Sequence, residues 1–230
     1  MSVYAIGDLH LPGHEQKPMD VFGEQWDRHF DVIRDNWLSL VRREDIVLIP
    51  GDISWAMQLA DALDDLRAIG ALPGRKLLLR GNHDYWWSSI GKVRAALLPD
   101  MYAIQNDAIA LDGHVFCGAR GWLLPTAQTP LAPDDERIYQ RELLRLEMSL
   151  VQGEKLGQKL VAMTHFPPLL GDGETTAFTE LLERFPVTDV VYGHLHGAGI
   201  RNAYQGIRNG ICYRLVSCDS IGFCPVRIKE

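Results

Sequence analysis

The chain contains few cysteines, and none stand at ligand spacing. Cys117, Cys212, Cys218 and Cys224 include no CxxC pair, which argues against a cysteine-built zinc or redox centre. Long apolar runs are missing as well. No stretch approaches the roughly 18 residues that a membrane span needs, so a soluble protein with no membrane partner is expected. Positive charge is in deficit: 23 Lys+Arg stand against 30 Asp+Glu, for a formal charge of -7. Overall charge therefore gives no attraction to nucleic acid or to anionic membranes. The chain opens on a short strand-like run without a charged and apolar leader, and a reducing, cytoplasmic setting is expected. Repeats, low-complexity tracts and linkers are absent too. The 230 residues are expected to form one domain, 1–230, with a core that needs no disulfide or metal staple.

What is present is an alternation of short apolar runs with segments of helical period, the pattern of a layered α/β protein. Strands are expected at 3–6, 46–50, 76–80, 103–105, 108–111, 115–117, 159–164, 189–192, 212–217 and 226–228. Trp26, Phe30, Ile33, Trp37 and Val41 recur at helical spacing, as do Leu59, Leu63, Leu66 and Ile69. Asp112-Gly113 between two short strands signals a hairpin, so part of the sheet is expected to be antiparallel. A Pro- and Thr-rich stretch from Gly121 to Pro133 leads into a helical segment from Asp134 to Gln152. Residues 120–152 are expected to cap the site, because long connections are often lids.

Five of the apolar runs end in residue types that bind metals. The clusters are Gly7-Asp8-Leu9-His10, Gly51-Asp52, Gly81-Asn82-His83-Asp84, His165 and Gly193-His194-Leu195-His196. The carboxyl ends of strands are where an open α/β sheet places its ligand site. Asp8 with His10, and His194 with His196, stand two apart, so in extended chain each pair would face one way. A single Asp-x-His is common, and a single Gly-Asp usually only starts a turn. The joint pattern is far less common: of eight histidines, five fall at these strand ends.

These five clusters, in this order over positions 7 to 196, resemble the motifs of the calcineurin-like metallophosphoesterase superfamily. The resemblance implies a β-sandwich flanked by helices, with two metal ions at the strand ends. It places Asp8, His10, Asp52 and His196 on one metal, and Asp52, Asn82, His165 and His194 on the other, with Asp52 bridging. One departure is that Ile53, Ser54 and Trp55 follow Gly51-Asp52, where many members carry a further Asp. The mixed nitrogen and oxygen donors suit two divalent transition metal ions, manganese first, with iron, zinc, cobalt or nickel as alternatives. Two such ions bring about +4 and the two aspartates return about -2, leaving a local field that attracts phosphate despite the chain's net charge.

The reaction so implied is hydrolysis of a phosphoester, mono- or diester, of a small molecule or nucleotide, by a metal-bound hydroxide. His83 is the expected general acid or stabiliser of phosphoryl charge, with Asp84 orienting its ring. Protein phosphatases of the superfamily carry Glu at the position of Asp84, which disfavours that branch. The alternative is a metal-binding regulatory module that keeps the fold without catalysis. Two readings stay open for Trp55, Tyr85, Trp86 and Trp87: an aromatic wall for a nucleobase, or core packing, the commoner fate of large aromatics. Arg80 either meets a phosphate or only ends a strand. Arg137, Arg141 and Arg145 recur every four positions, as on a solvated helical face.

Overall fold

The computed structural model describes residues 1–13, 19, 23–126, 129–157 and 159–230. Two sheets lie face to face between two helical layers. The first sheet contains β1 (Val3–Ala5), β2 (Ile46–Ile49), β3 (Arg75–Leu78), β4 (Met101–Ala103) and β11 (Val226–Lys229), in the order β11-β1-β2-β3-β4. Its strands run parallel except β11, which pairs antiparallel with β1. The second contains β5 (Ala108–Leu111), β6 (His114–Ala119), β7 (Leu160–Thr164), β8 (Val187–Tyr192), β9 (Gly206–Arg208) and β10 (Ile211–Leu215), in the order β5-β6-β7-β8-β10-β9. Here the outer pairs β5/β6 and β9/β10 are antiparallel and the inner ones parallel. The expected mixed α/β layering is what the chain forms, and the Asp112-Gly113 turn closes the β5/β6 hairpin.

Continuous apolar runs mark the inner strands as buried on both faces, β2 and β7 throughout. Val3, Ala5, Ile46, Leu48 and Leu77 meet Phe116, Val161, Met163 and Val191 in the layer between the sheets. The opposite face of the first sheet, with Val47, Ile49 and Leu78, packs on α1 (His29–Leu40), α2 (Leu59–Gly70) and α3 (Ile90–Ala96) through Ile33, Trp37, Leu66, Ile69 and Val93. The opposite face of the second packs on α4 (Pro133–Leu156) and α5 (Ala177–Glu183) through Leu146, Leu150, Phe178, Leu181 and Leu182.

The helical part of the segment expected as a cap, 133–152, belongs to this outer layer. Its Tyr139, Leu146 and Leu150 are buried against the second sheet. Residues 127–128 of the same segment lie outside the described residues.

Trp86 and Trp87 are core residues, 1% and 2% exposed, whereas Tyr85 is 51% exposed. Core packing is thus the answer for two of the four aromatics near the ligand clusters. Phe116 is fully buried at the centre of the layer between the sheets. Phe116→Ala should cost about 3–5 kcal/mol of stability, the range for emptying an aromatic site that cannot collapse. Urea denaturation checks this, and a loss below about 1 kcal/mol, the size of a mild Ile→Val change, would contradict a rigid interlayer.

Candidate metal centre

The carboxyl ends of β1, β2, β3, β7 and β8 lie together, and each delivers a cluster expected from the sequence. The loops after β1 and β2 run side by side: Asp8 N donates to the Gly51 carbonyl (2.9 Å), His10 N to Asp52 (3.0 Å) and Leu11 N to Ile53 (3.0 Å). Gly7 joins the sheets, donating to the Val216 carbonyl (2.7 Å) and accepting from Cys218 N (3.0 Å). His194 N adds a second junction by donating to the Asp8 carboxylate (3.1 Å).

The ligand pairs do not converge in the way that their spacing suggested. Asp8, His10, Asp52 and His194 have φ of 58°, 44°, 50° and 73°, so the chain turns left-handed at these positions. Extended backbone would alternate side chains within one strand, but donors from two sheets must meet in the space beyond both. Asp and His are among the few types that tolerate this conformation. Two glycines permit the close approach that results. A Cβ on Gly81 would overlap Asp52 Oδ1, and one on Gly193 would overlap Asp8 Oδ2.

Two sets of donors face one another. In the first, His10 Nε2 and His196 Nε2 are 3.4 Å apart, and His196 Nε2 is 3.4 Å from Asp8 Oδ1. In the second, His165 Nε2 and His194 Nδ1 lie 2.6 and 2.9 Å from Asn82 Oδ1. Asp52 Oδ2 sits between the sets, 3.8 Å from His10 Nε2 and 3.4 Å from His165 Nε2. Two acidic and histidine groups are compact enough to hold an ion, Asp8 with His10 and His196, and Asp8 with Asp52 and His165. All seven residues expected as ligands, Asn82 included, are therefore brought together. Facing imidazole nitrogens beside carboxylate oxygens are the donor chemistry of a divalent transition metal, so the residues fit such ions.

The surroundings fix the rings. His165 Nδ1 lies 3.0 Å from the Pro50 carbonyl, which turns Nε2 toward Asn82 and Asp52. Burial pushes His10, His165 and His194 down, His194 to about 3, and so favours the neutral ring, the form that binds metal. Burial also opposes charge on His196, but the Asp219 and Asp8 carboxylates outweigh it and push that ring up to about 10. Burial works against charge on Asp8 as well, yet the His196 hydrogen bond and charge hold its carboxyl far below the usual range. Asp52 moves the other way, raised by burial and by the charges of Asp84 and Asp8.

Asp219 was not expected from the sequence. Its carboxylate lies 2.8 Å from His196 Nδ1 and accepts from Gly197 N (3.0 Å), so it orients the ring from behind. The available signal was position, since Asp219 follows the 212–217 run as the other clusters follow theirs.

Asp84 needs a correction. The sequence reading set it behind the His83 ring, but its two oxygens accept five other hydrogen bonds. Oδ2 takes Gly81 N (2.7 Å) and Asp52 N (2.9 Å); Oδ1 takes Ile53 N (2.8 Å), Ser54 N (3.2 Å) and Trp86 Nε1 (3.0 Å). An ionised carboxylate offers about four acceptor sites, and these are filled. Burial raises its pKa while the backbone donors oppose that. Asp84 thus ties the β2 loop to the β3 loop. His83 is held by its own backbone, whose N–H donates to Asp52 Oδ1 (2.8 Å), with its ring beside Trp55 (4.5 Å between centroids) and 5.9 Å from that of His10.

Two substitutions separate these roles. Asp84→Asn places an amide group where backbone N–H donors need an acceptor, and should lower stability by about 2 kcal/mol, the scale of a hydrogen bond to a charged group; urea midpoints measure it. For Asp219→Asn, metal affinity should fall about 10–100-fold, as for other groups that orient a ligating histidine. Titration with manganese would refute that if the affinity stayed at the wild-type level.

Comparison with known proteins agrees with this geometry. Residues 1–198 match the profile of the calcineurin-like phosphoesterases. No curated protein gives a significant sequence match. Among solved structures, the phosphopantetheinyl hydrolase of Mycobacterium tuberculosis is similar in fold, with TM-score 0.56 and 16% identity over 94% of this chain and 88% of that one. A protein of unknown function from Aquifex aeolicus aligns with TM-score 0.49 and 18% identity over 98% of this chain and 95% of that one. The family match spans all the strand-end clusters just described, from Gly7 to His196, and the chain belongs to the calcineurin-like phosphoesterase family.

Proposed function

We propose that this protein is a cytoplasmic, metal-dependent hydrolase of a small phosphoester, a phosphodiester or phosphomonoester of a small molecule or nucleotide. The observation that carries this reading is the pair of facing donor sets with every expected ligand position filled. A regulatory module that had abandoned chemistry would be free to lose one of them. Four free cysteines among the described residues accord with a reducing compartment, and no helix there is long and apolar enough to cross a membrane.

Two divalent ions, manganese being the first to test, would polarise the phosphoryl oxygens and lower the pKa of a nearby water. The chain's own groups do the rest. Asp8 and Asp52 would supply the negative charge that retains the ions, while Asn82 and the four histidines would coordinate without cancelling more of it. His83, fixed through its backbone to Asp52 and flanked by Trp55, is placed to protonate the leaving oxygen or to hold charge on the phosphoryl group. Trp55 also stacks on His10 at 4.8 Å and 21°, which limits movement of both rings.

The test is turnover of bis-aryl phosphate, aryl phosphate and cyclic nucleotides after chelation and after adding manganese back. Activity should vanish and return; activity that survives complete removal of metal would overturn the proposal, and two bound ions without turnover would favour the regulatory module. His83→Asn should lower turnover about 100-fold or more, the scale of a general acid, with metal content unchanged. Equal loss of metal and turnover would instead make His83 a support for Asn82.

A further inference from the structure

A cavity of about 430 Å³ has walls that carry Arg80, Arg120, Arg141 and Arg145. That is within the usual range for small-ligand pockets, ~300–1,000 Å³. Arg80 follows β3, two residues before Asn82, and Arg120 follows β6, where its carbonyl accepts from His165 N (3.0 Å) and Phe166 N (2.9 Å). A series of ring contacts leads from the cavity to the metal ligands. The Arg120 guanidinium lies over Trp122 (4.5 Å), Trp122 meets Phe166 (5.0 Å), and Phe166 meets His194 (4.1 Å).

Among the described residues, Glu142 is the one carboxylate that lines the cavity with these four cations. Glu142 is 1% exposed, 2.7 Å from Arg145, 3.5 Å from Arg120 and 3.9 Å from Arg141. Four positive charges against one negative leave the cavity formally about +3, in a wall that is partly desolvated. The Nε atoms of Arg80 and Arg120 are shielded from solvent and have no hydrogen-bond partner among the described residues. Burial, and then the charges of Arg80, Arg141 and Arg145, hold the Arg120 guanidinium below its usual value against the pull of Glu142. Mutually repelling guanidiniums with donors left over are not accounted for by Glu142 alone. The stripe expected as a solvated face therefore divides: Arg137 pairs with Asp134 in solvent, while Arg141 and Arg145 turn to the cavity.

We propose that this cavity is an anion site that takes a phosphate group of the substrate other than the one being hydrolysed. The substrate class is then a small molecule bearing a second phosphate, held by the fork geometry that makes arginine suited to phosphate. The assignment to substrate rests on the phosphoesterase reading; the anion site itself does not.

The experiment has two arms. In the first, pyrophosphate is titrated calorimetrically into chelator-treated protein, where no metal contributes to binding. Arg141 is the safest position to change, since its side chain is 52% exposed and Glu142 keeps its closer partner Arg145. Arg141→Gln should weaken pyrophosphate about tenfold, and Arg141→Lys should weaken it less. An affinity that Arg141→Gln leaves unaltered, or no binding by the wild type, overturns the anion site even if hydrolysis is intact.

In the second arm, manganese-loaded protein is given thymidine 5′-(p-nitrophenyl phosphate) with and without a 3′-phosphate. The ratio of kcat/KM, phosphorylated over unphosphorylated, should fall about tenfold in Arg141→Gln. A ratio that does not move, with pyrophosphate binding still sensitive to Arg141, overturns the substrate assignment and leaves a site for free phosphate. If neither ester is hydrolysed and the aryl phosphate, bis-aryl phosphate and cyclic nucleotides are not hydrolysed either, the phosphoesterase reading fails and the substrate assignment with it, while Arg141-dependent pyrophosphate binding still supports the anion site.

Discussion

Donors from the strand ends of two different sheets must reach one small volume, and the rest of the site follows from that constraint. A strand cannot meet it while extended, because its side chains alternate between the two faces of its own sheet. The chain therefore turns left-handed at Asp8, His10, Asp52 and His194, at about 1–3 kcal/mol for each such position. Such turns persist only where the surroundings over-determine them. Here the packed interlayer holds the sheets in register, Gly7 and His194 bond across from one sheet to the other, and Asp84 clamps the loops after β2 and β3.

The same constraint collects buried negative charge. Asp8, Asp52 and Asp84 are all 2% exposed or less, and unpaired carboxylates in a dry site are costly. They are relieved in different ways. Backbone N–H groups stabilise Asp84, which touches none of the facing donor nitrogens at hydrogen-bond distance. Asp8 draws positive charge onto His196, whose other nitrogen faces Asp219. Asp52 accepts the His83 N–H, yet burial and the charges of Asp84 and Asp8 outweigh that, and its carboxyl is raised well above the usual range. A cation next to Asp8 and Asp52 supplies the missing counter-charge, so the electrostatics of the chain without metal already describe what the site is built to bind.

Much of this was legible in the sequence, because the relevant signals are local. Apolar runs ending in a ligand type, with Gly before it in four of the five clusters, marked most of the strands, and the family resemblance picked out the seven residues that the structure brings together. Residues whose structure depends on distant partners were not legible. β9 has Ile207 74% exposed at a sheet edge, so it shows no alternation. α3 buries only Val93, too little for a period. α5 starts at a capping box made by Thr176 and Thr179, where the usual signature has Glu or Gln at the second position. For Asp84, adjacency to His83 suggested a partnership, but the left-handed turn at Asp52 brings that loop's N–H groups within reach and these take the carboxylate. Asp219 lies 23 residues beyond His196, and no spacing rule connects them.

The arginine cavity shows the same limit from another side. On α4 alone, Arg141 and Arg145 read as solvated charge, and Arg80 and Arg120 read as strand ends. Only the packing of α4 against the second sheet brings Arg120, Arg141 and Arg145 to Glu142, in a cavity that Arg80 also lines. A negative chain thus carries one region of fixed positive charge in this cavity, while positive charge at the strand ends would come only with metal. A phosphate drawn to the strand ends could exchange with water or competing anions at a bare metal centre. The fixed guanidiniums would give a second, independent hold on a substrate with two phosphates, and so orient the ester bond before any proton moves. Selectivity in this site would then come from α4 and the ends of β3 and β6, outside the clusters that define the family.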